Sequence, residues 1–299
     1  MHAFFGLLRR NIKMFFSDKA LLVGASITPI ILLGLYLGFF NDNIVEMLDQ
    51  ALKNFDVNKT EIYHLAFAQM ISSLVAVCPV TIAFMANGLT VEDRIRGTNR
   101  DLKASPASPA IIHLAYFAAS FCSTLIVAVI SFAILLIFDA NNQWFLPLYA
   151  VGNLFLDCVL LSIFSTALSS IVFLFLSSEG QMSIASSLVS AGYGFFAGAY
   201  MPIASLSQGV RDFISCLPGT YATILTRRHA LLPVIDKISA DHAKIPDLVI
   251  TSIKDSLDCN FSFFGTTVQA STMLLVFCLS ILALILLFLL LGFLRKDRA

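Results

Sequence analysis

Long apolar runs separated by short charged segments set the pattern of this chain. A helix needs about 20 apolar residues to cross roughly 30 Å of hydrocarbon. Six stretches reach that length, at about 20–40, 65–89, 111–138, 145–177, 183–201 and 271–294. The fourth is long for a simple crossing and predicts tilt or projection beyond the membrane. The fifth is rich in Ser and Gly (Ser183, Ser186, Ser187, Ser190, Gly192, Gly194, Gly198). Small residues let helix backbones approach closely, so this stretch is expected against other helices rather than lipid.

Two amphipathic patterns flank these runs. At 100° per residue, Phe4, Phe5, Leu8, Ile12, Phe15 and Phe16 share one side of a helix, and Arg9, Arg10 and Lys13 the other. That predicts a helix lying in the membrane interface with its bases toward headgroups, followed by a cap for the first span at Ser17-Asp18. Between the fifth and sixth runs lies a segment, 202–270. There Leu206, Val210, Phe213, Ile214 and Leu217 repeat as one face of a short helix. Leu248, Val249, Ile253 and Leu257 mark another, begun by Pro246-Asp247.

Composition agrees with a bilayer as solvent. The 299 residues are 58% hydrophobic and 13% charged, against about 25% charged in soluble domains, and the mean hydropathy is +0.85. An all-α integral membrane protein forming one domain over 1–299 follows. The formal net charge is zero, which gives no reason to expect nucleic acid as a partner. Its distribution is uneven: with the N-terminus inside, the inner segments hold eleven bases and six acids, the outer ones eight bases and twelve acids. Positive charge favours the cytoplasmic side, so both termini are expected in the cytoplasm, in a multi-pass protein of the cell (plasma) membrane.

The charged segment between the second and third runs reads Glu92-Asp93-Arg94-Ile95-Arg96-Gly97-Thr98-Asn99-Arg100-Asp101-Leu102-Lys103-Ala104-Ser105-Pro106-Ala107-Ser108-Pro109. It is short and closed by a Ser-Pro repeat, where proline stops one helix and lets another begin. Taken alone it is a solvated loop whose charges set topology. Its string Asp93-Arg94-Ile95-Arg96-Gly97-Thr98, then Leu102 and Ser105-Pro106-Ala107-Ser108, resembles the coupling-helix signature of type-2 ABC exporter permeases. Ile95 stands where that pattern has a second acid.

A second resemblance to the same family runs through Gly198, Pro202-Ile203, Ser205-Leu206 and Pro218-Gly219-Thr220-Tyr221-Ala222. It implies a re-entrant helical hairpin on the outer side, carried by Gly198, Pro202, Leu206, Phe213, Pro218 and Tyr221. Ser207 replaces a frequent Pro. The resemblance further implies a dimer of permeases, a homodimer or a pair of paralogues, working with two nucleotide-binding ATPase subunits. Asp93, Arg94, Arg96, Gly97, Thr98, Leu102, Ser105 and Pro106 would meet those subunits. The chain has no Gly-Lys dipeptide and hence no Walker A loop. It is therefore expected to bind no cofactor and to catalyse nothing, with ATP and magnesium held by the partner. A drug, a peptide or a lipid-like molecule suits the apolar interior as substrate.

Other candidates stay open at this stage. Asp157 alone among the acids falls inside a run, and such residues are functional candidates, for substrate or proton, or structural partners. Cys216 and Cys259 both fall in the outer segment and are either a disulfide or two thiols. The histidines have no partner at metal-ligand spacing. A secondary transporter or channel would call for internal repeats or several intramembrane charges. A lipid-modifying enzyme would call for clustered acids or a His/Asp constellation. Neither pattern is present in the sequence.

Overall fold

The computed structural model describes residues 2–35, 38, 41–98, 102, 104, 107–141 and 144–294. It is helical, apart from a two-residue hairpin pairing β1 (Ser262–Phe263) with β2 (Thr266–Thr267). Helix α1 (His2–Ser17) leads through Asp18 into α2 (Lys19–Leu35). Asp18 Oδ1 accepts from the Leu21 amide at 3.2 Å, so the expected cap is present. A helix not anticipated, α3 (Asn41–Leu52), buries Leu48 and Leu52. Ile44, Val45, Leu48 and Leu52 do recur at helical spacing there, but among polar neighbours the signal is faint.

Helix α4 (Lys59–Ile95) is 37 residues long and forms the axis of the bundle. It packs against α2, α3, α5 (Pro109–Asn141), α6 (Leu148–Phe175), α7 (Glu179–Phe196) and α9 (Pro218–Asp241). From Leu65 to Leu89 nearly every side chain is buried, which is what an apolar-all-round helix requires at the centre of a bundle. The chain closes with α10 (Asp247–Ser256), begun at Pro246 as anticipated, and α11 (Ala270–Leu294). Helix α11 lies at the periphery against α6 and α9 and exposes Leu275, Leu279, Leu282, Leu286 and Leu290.

Among the described residues, four helices can cross a membrane by length and composition: α4, α5 over Pro109–Phe138, α6, and α11 over Ala270–Gly292. The α1–α2 pair, bent by 70°, makes a fifth when taken together. Helix α7 coincides with the fifth predicted run but is only 18 residues long. Glu179, Gln181 and its serines keep its hydropathy below that of the other four.

The amphipathic reading of α1 needs one correction. Phe5 is exposed as a lipid-facing residue should be, but Phe15 is 1% exposed and belongs to the core. Arg10 leaves the basic face it shares in projection with Arg9 and Lys13 and turns into the protein. Leu7 and Met14 pack beside it, against Leu89, Ile112 and Tyr116. Helix α1 therefore has three faces, one of them docked along α5.

Candidate functional site

The charged string at the end of α4 is folded inward as much as outward. Asp93 is 1% exposed. Arg10 grips it with both terminal nitrogens, Nη1 to Oδ2 at 2.7 Å and Nη2 to Oδ1 at 2.9 Å, and the Tyr116 hydroxyl donates to Oδ2. Arg10 Nη1 also donates to Asn11 Oδ1 at 2.8 Å. A fork-to-carboxylate pair of this kind fixes direction as well as distance. Its hydrogen bonds to Asp93 hold the Arg10 guanidinium above its ordinary pKa against the opposing effect of burial. One carboxylate thus ties α1, α4 and α5 together.

Arg94, the next residue, points elsewhere around the helix. Its Nη1 donates to the carbonyls of Phe173 (3.4 Å), Leu174 (3.3 Å) and Leu176 at the C-terminal end of α6. Those carbonyls have no helical partner, and the helix dipole places partial negative charge there. Arg96 is solvent-facing and pairs with Glu92 one turn back. Gly97 adopts φ +82°, and the Arg96 amide returns to Glu92 O at 2.9 Å. A left-handed residue that closes a helix in this way is most easily a glycine. Ile95 is 42% exposed, and Thr98 is partly buried. Leu102 packs back onto Leu89, Ile112 and Tyr116, which returns the segment to the bundle. Ser105 and Pro106 lie outside the described residues.

The second motif surrounds a buried ion pair at the opposite end of α7. Gly198 has φ +68°, and a Cβ there would collide with Ile203. Arg227 of α9 is fully buried and binds Asp258, the carbonyl of Gly198 (2.6 Å) and that of Ala199 (3.4 Å). The Gln69 amide, oriented with its oxygen toward the guanidinium, accepts from it at 3.2 Å. Ser73 Oγ donates to Ala199 O at 2.7 Å, and the Ile203 amide donates to Asp258 Oδ2 at 2.6 Å. Pro202 precedes a turn of 3₁₀ helix, Ile203–Ser205. Then α8 (Gln208–Ser215) leads into α9, which has Pro218 in its first turn and touches α8. Leu206 is half-buried, and Tyr221 packs edge-on against Phe261 at 5.2 Å. The predicted apolar face of α8 is split: Ile214 is buried, but Val210 and Phe213 are exposed. A peripheral helix of eight residues turns only one of its apolar edges to the core.

Asp157 is 5% exposed on α6, and its Oδ2 lies 2.6 Å from His229 Nδ1 of α9. His242 Nε2 lies 2.9 Å from Glu61 Oε2 where α9 ends beside the start of α4. Cys216 and Cys259 are separate free thiols. Cys216 is exposed, whereas Cys259 is buried, and burial pushes its thiol up to about 12. Among the described residues no three His, Cys, Asp or Glu side chains gather closely enough to hold a metal ion.

Both motifs fall inside one homologous region. The family model described as ABC-2 type transporter matches residues 2–228. The chain belongs to the ABC-2 type transporter family. No curated protein matches it. As an ABC-2 permease it is a multi-pass membrane protein and a transport component rather than a catalyst. The matched region runs from α1 to Arg228, in α9, and so contains both Arg10 and Arg227. Neither arginine is distinguishable in the sequence from a solvated base, since each is defined by an acid far along the chain. A further polar cluster was equally hidden. Asn87 bonds Ser120 (3.0 Å), Ser169 and Ser170 (3.3 Å), joining α4, α5 and α6 of the permease. Hydrogen bonds between apolar helices hold them together where no hydrophobic force acts.

Proposed function

We propose that this chain is the transmembrane subunit of an ATP-driven exporter, with the segment 92–108 transmitting motion from a separate ATPase. The observation that carries this is the Arg10–Asp93–Tyr116 brace with Arg94 seated on the end of α6. Through it, a force applied at Gly97 reaches α1, α4, α5 and α6 together, as a coupling element needs. Asp93 and Arg94 act as inner braces. Glu92, Arg96 and Thr98, with the segment through Leu102, Ser105 and Pro106, offer the surface that meets the ATPase. ATP and magnesium belong to that partner.

In this reading α2, α4, α5, α6, α7 and α11 are the six spans, both termini are cytoplasmic, and the membrane is the plasma membrane. The hairpin α8–α9, knotted to Gly198 by Arg227, lies on the outer side and re-enters the outer leaflet. A second permease copy covers α7, which exposes Ile184, Leu188 and Phe195 beside Ser183 and Ser187. Hydroxyls on an outward face of a membrane helix are better placed against protein than lipid. The substrate, a drug, peptide or lipid-like molecule, passes between the two copies.

The test is purification from the native membrane. An ATPase chain should accompany the permease, and the permease alone should hydrolyse no ATP. Arg96→Glu should release the ATPase without lowering permease stability. Robust ATP hydrolysis by the isolated chain would overturn the reading.

A further inference from the structure

A cavity of about 290 Å³ opens between α2, α4 and α5, with Cys158 contributed by α6. Its inner wall is made of buried side chains, including Leu74, Val75, Cys78, Ala128 and Phe132. Its rim is formed by three isoleucines that are exposed: Ile30 at 66%, Ile130 at 53% and Ile134 at 55%. The space exists because small or helix-interrupting residues stand where large apolar ones would fill it. Pro29 and Pro79 line facing walls, and each removes a helical hydrogen bond at that level.

Among the described lining residues two carry hydroxyls, and both donate to backbone. Ser26 Oγ donates to Leu22 O at 2.9 Å, and Ser131 Oγ to Val127 O at 2.9 Å. Among the described residues no charged side chain lines the cavity. The described lining is almost wholly apolar, so it suits a hydrocarbon better than a polar head. Helices α4 and α5, which make two walls, are apolar enough to cross the membrane. Cys78 lies fourteen residues before Glu92 along α4, roughly 20 Å at the helical rise. That depth places the rim within the hydrocarbon layer rather than at a headgroup. A cavity of roughly 150 Å³ accepts benzene, so this one suits roughly ten to twelve alkyl carbons.

We infer that the cavity is a binding site for one acyl chain of a bilayer phospholipid, entering sideways between Ile30, Ile130 and Ile134. The chain fills the gap left by the two prolines and holds α2 against α4. Only the membrane setting of the family is needed for this occupancy, so a negative result would leave the exporter proposal untouched.

The experiment uses the full chain with its one tryptophan, Trp144, changed to Phe, and a reporter Phe132→Trp inside the cavity. The protein is reconstituted in phosphatidylcholine vesicles whose acyl chains carry bromine, a fluorescence quencher. The reporter should be quenched at least half as strongly as a rim control, Ile130→Trp. Filling the cavity with Ala128→Leu should lower quenching of the inner reporter at least twofold and leave the rim control unchanged. Inner quenching that is absent, or unaltered by Ala128→Leu, overturns the assignment. Native mass spectrometry of chains with no added tryptophan provides a second measurement independent of the reporter. Ala128→Leu should retain one phospholipid fewer than the parent, and equal retention also overturns it.

Discussion

Removing Arg10 should cost more stability than neutralising the acid it binds. The Asp93 side chain is 2% exposed and the Arg10 side chain 30%. Arg10→Ala strips two of the three hydrogen bonds from a carboxylate that water cannot reach, leaving only Tyr116. Orphaning one member of a buried pair costs about 3–5 kcal/mol, and that range applies here because the stranded charge is the buried one. Asp93→Asn leaves a guanidinium that can turn to solvent, and the amide oxygen can still accept from Tyr116. The loss should be about 1.5–3 kcal/mol, that of a hydrogen bond to a charged group. Tyr116→Phe should fall in the same range. The assay is reversible unfolding in mixed micelles, run as a double-mutant cycle on Arg10 and Asp93. A coupling energy of about 1.5–3 kcal/mol is expected for direct partners. A coupling near zero, or Asp93→Asn costing more than Arg10→Ala, would refute the brace.

Gly198→Ala should destabilise the permease by about 1–3 kcal/mol, since φ is +68° and the new methyl meets Ile203; melting temperature measures it, and Ile203→Ala in the same chain should recover part of the loss. Asp157→Asn should keep transport near the parent level, because the amide can still bond His229, whereas His229→Ala strands a buried carboxylate and should lower stability by about 2–3 kcal/mol. A transport defect in a stable Asp157→Asn protein would instead assign that acid to the substrate or proton path. Maleimide at pH 8 should label Cys216 in the folded protein and spare Cys259: its thiol, pushed up to about 12, is protonated there and buried. Peptide mapping reads this directly, and equal labelling of both would contradict the placement of Cys259.

What could be read from the chain was whatever depends on neighbours in sequence. Each apolar run overlaps a helix, although α4 extends six residues beyond its run at both ends. Asp18 was visible as a cap and Pro246-Asp247 as a helix start, but the run of Ser and Gly, expected to lie buried against other helices, buries only Ser186 and Gly194 of α7. The pairs that organise the permease were not readable in this way. Arg10 meets Asp93 across 83 positions, His229 meets Asp157 across 72, and Arg227 meets Asp258 across 31. No periodicity links such residues. A helical wheel put Arg10 with Arg9 and Lys13 because their spacing projects all three onto one side, and only the docked position of α1 separates them. The wheel failed for Phe15 for the same reason: it describes one helix and is blind to what covers it. Arg227 sits between Thr226 and Arg228 in a segment that reads as polar, so its burial depends on Asp258 and on two carbonyls freed by the turn at Gly198.

Consecutive residues of the charged string face different directions because an α-helix turns 100° at each step. Asp93 looks toward α1 and α5, Arg94 toward the end of α6, and Arg96 toward solvent. A loop could present the same charges to a partner, but it could not anchor them to four helices at once. This string is the last turn of α4, a helix buried along most of its 37 residues, so displacement at Gly97 cannot be absorbed locally. The polar cluster at Asn87, less than two turns away, links the same α4, α5 and α6 again. Two successive layers of polar contacts resist shear between these helices better than one, since sliding at either layer would strand buried hydrogen-bonding groups. The end of α4 is therefore tied to α5 and α6 by two layers of polar contacts, and to α1 through Arg10. The acid at position 93 thus braces the helices from within, while Arg96 on the same turn faces solvent.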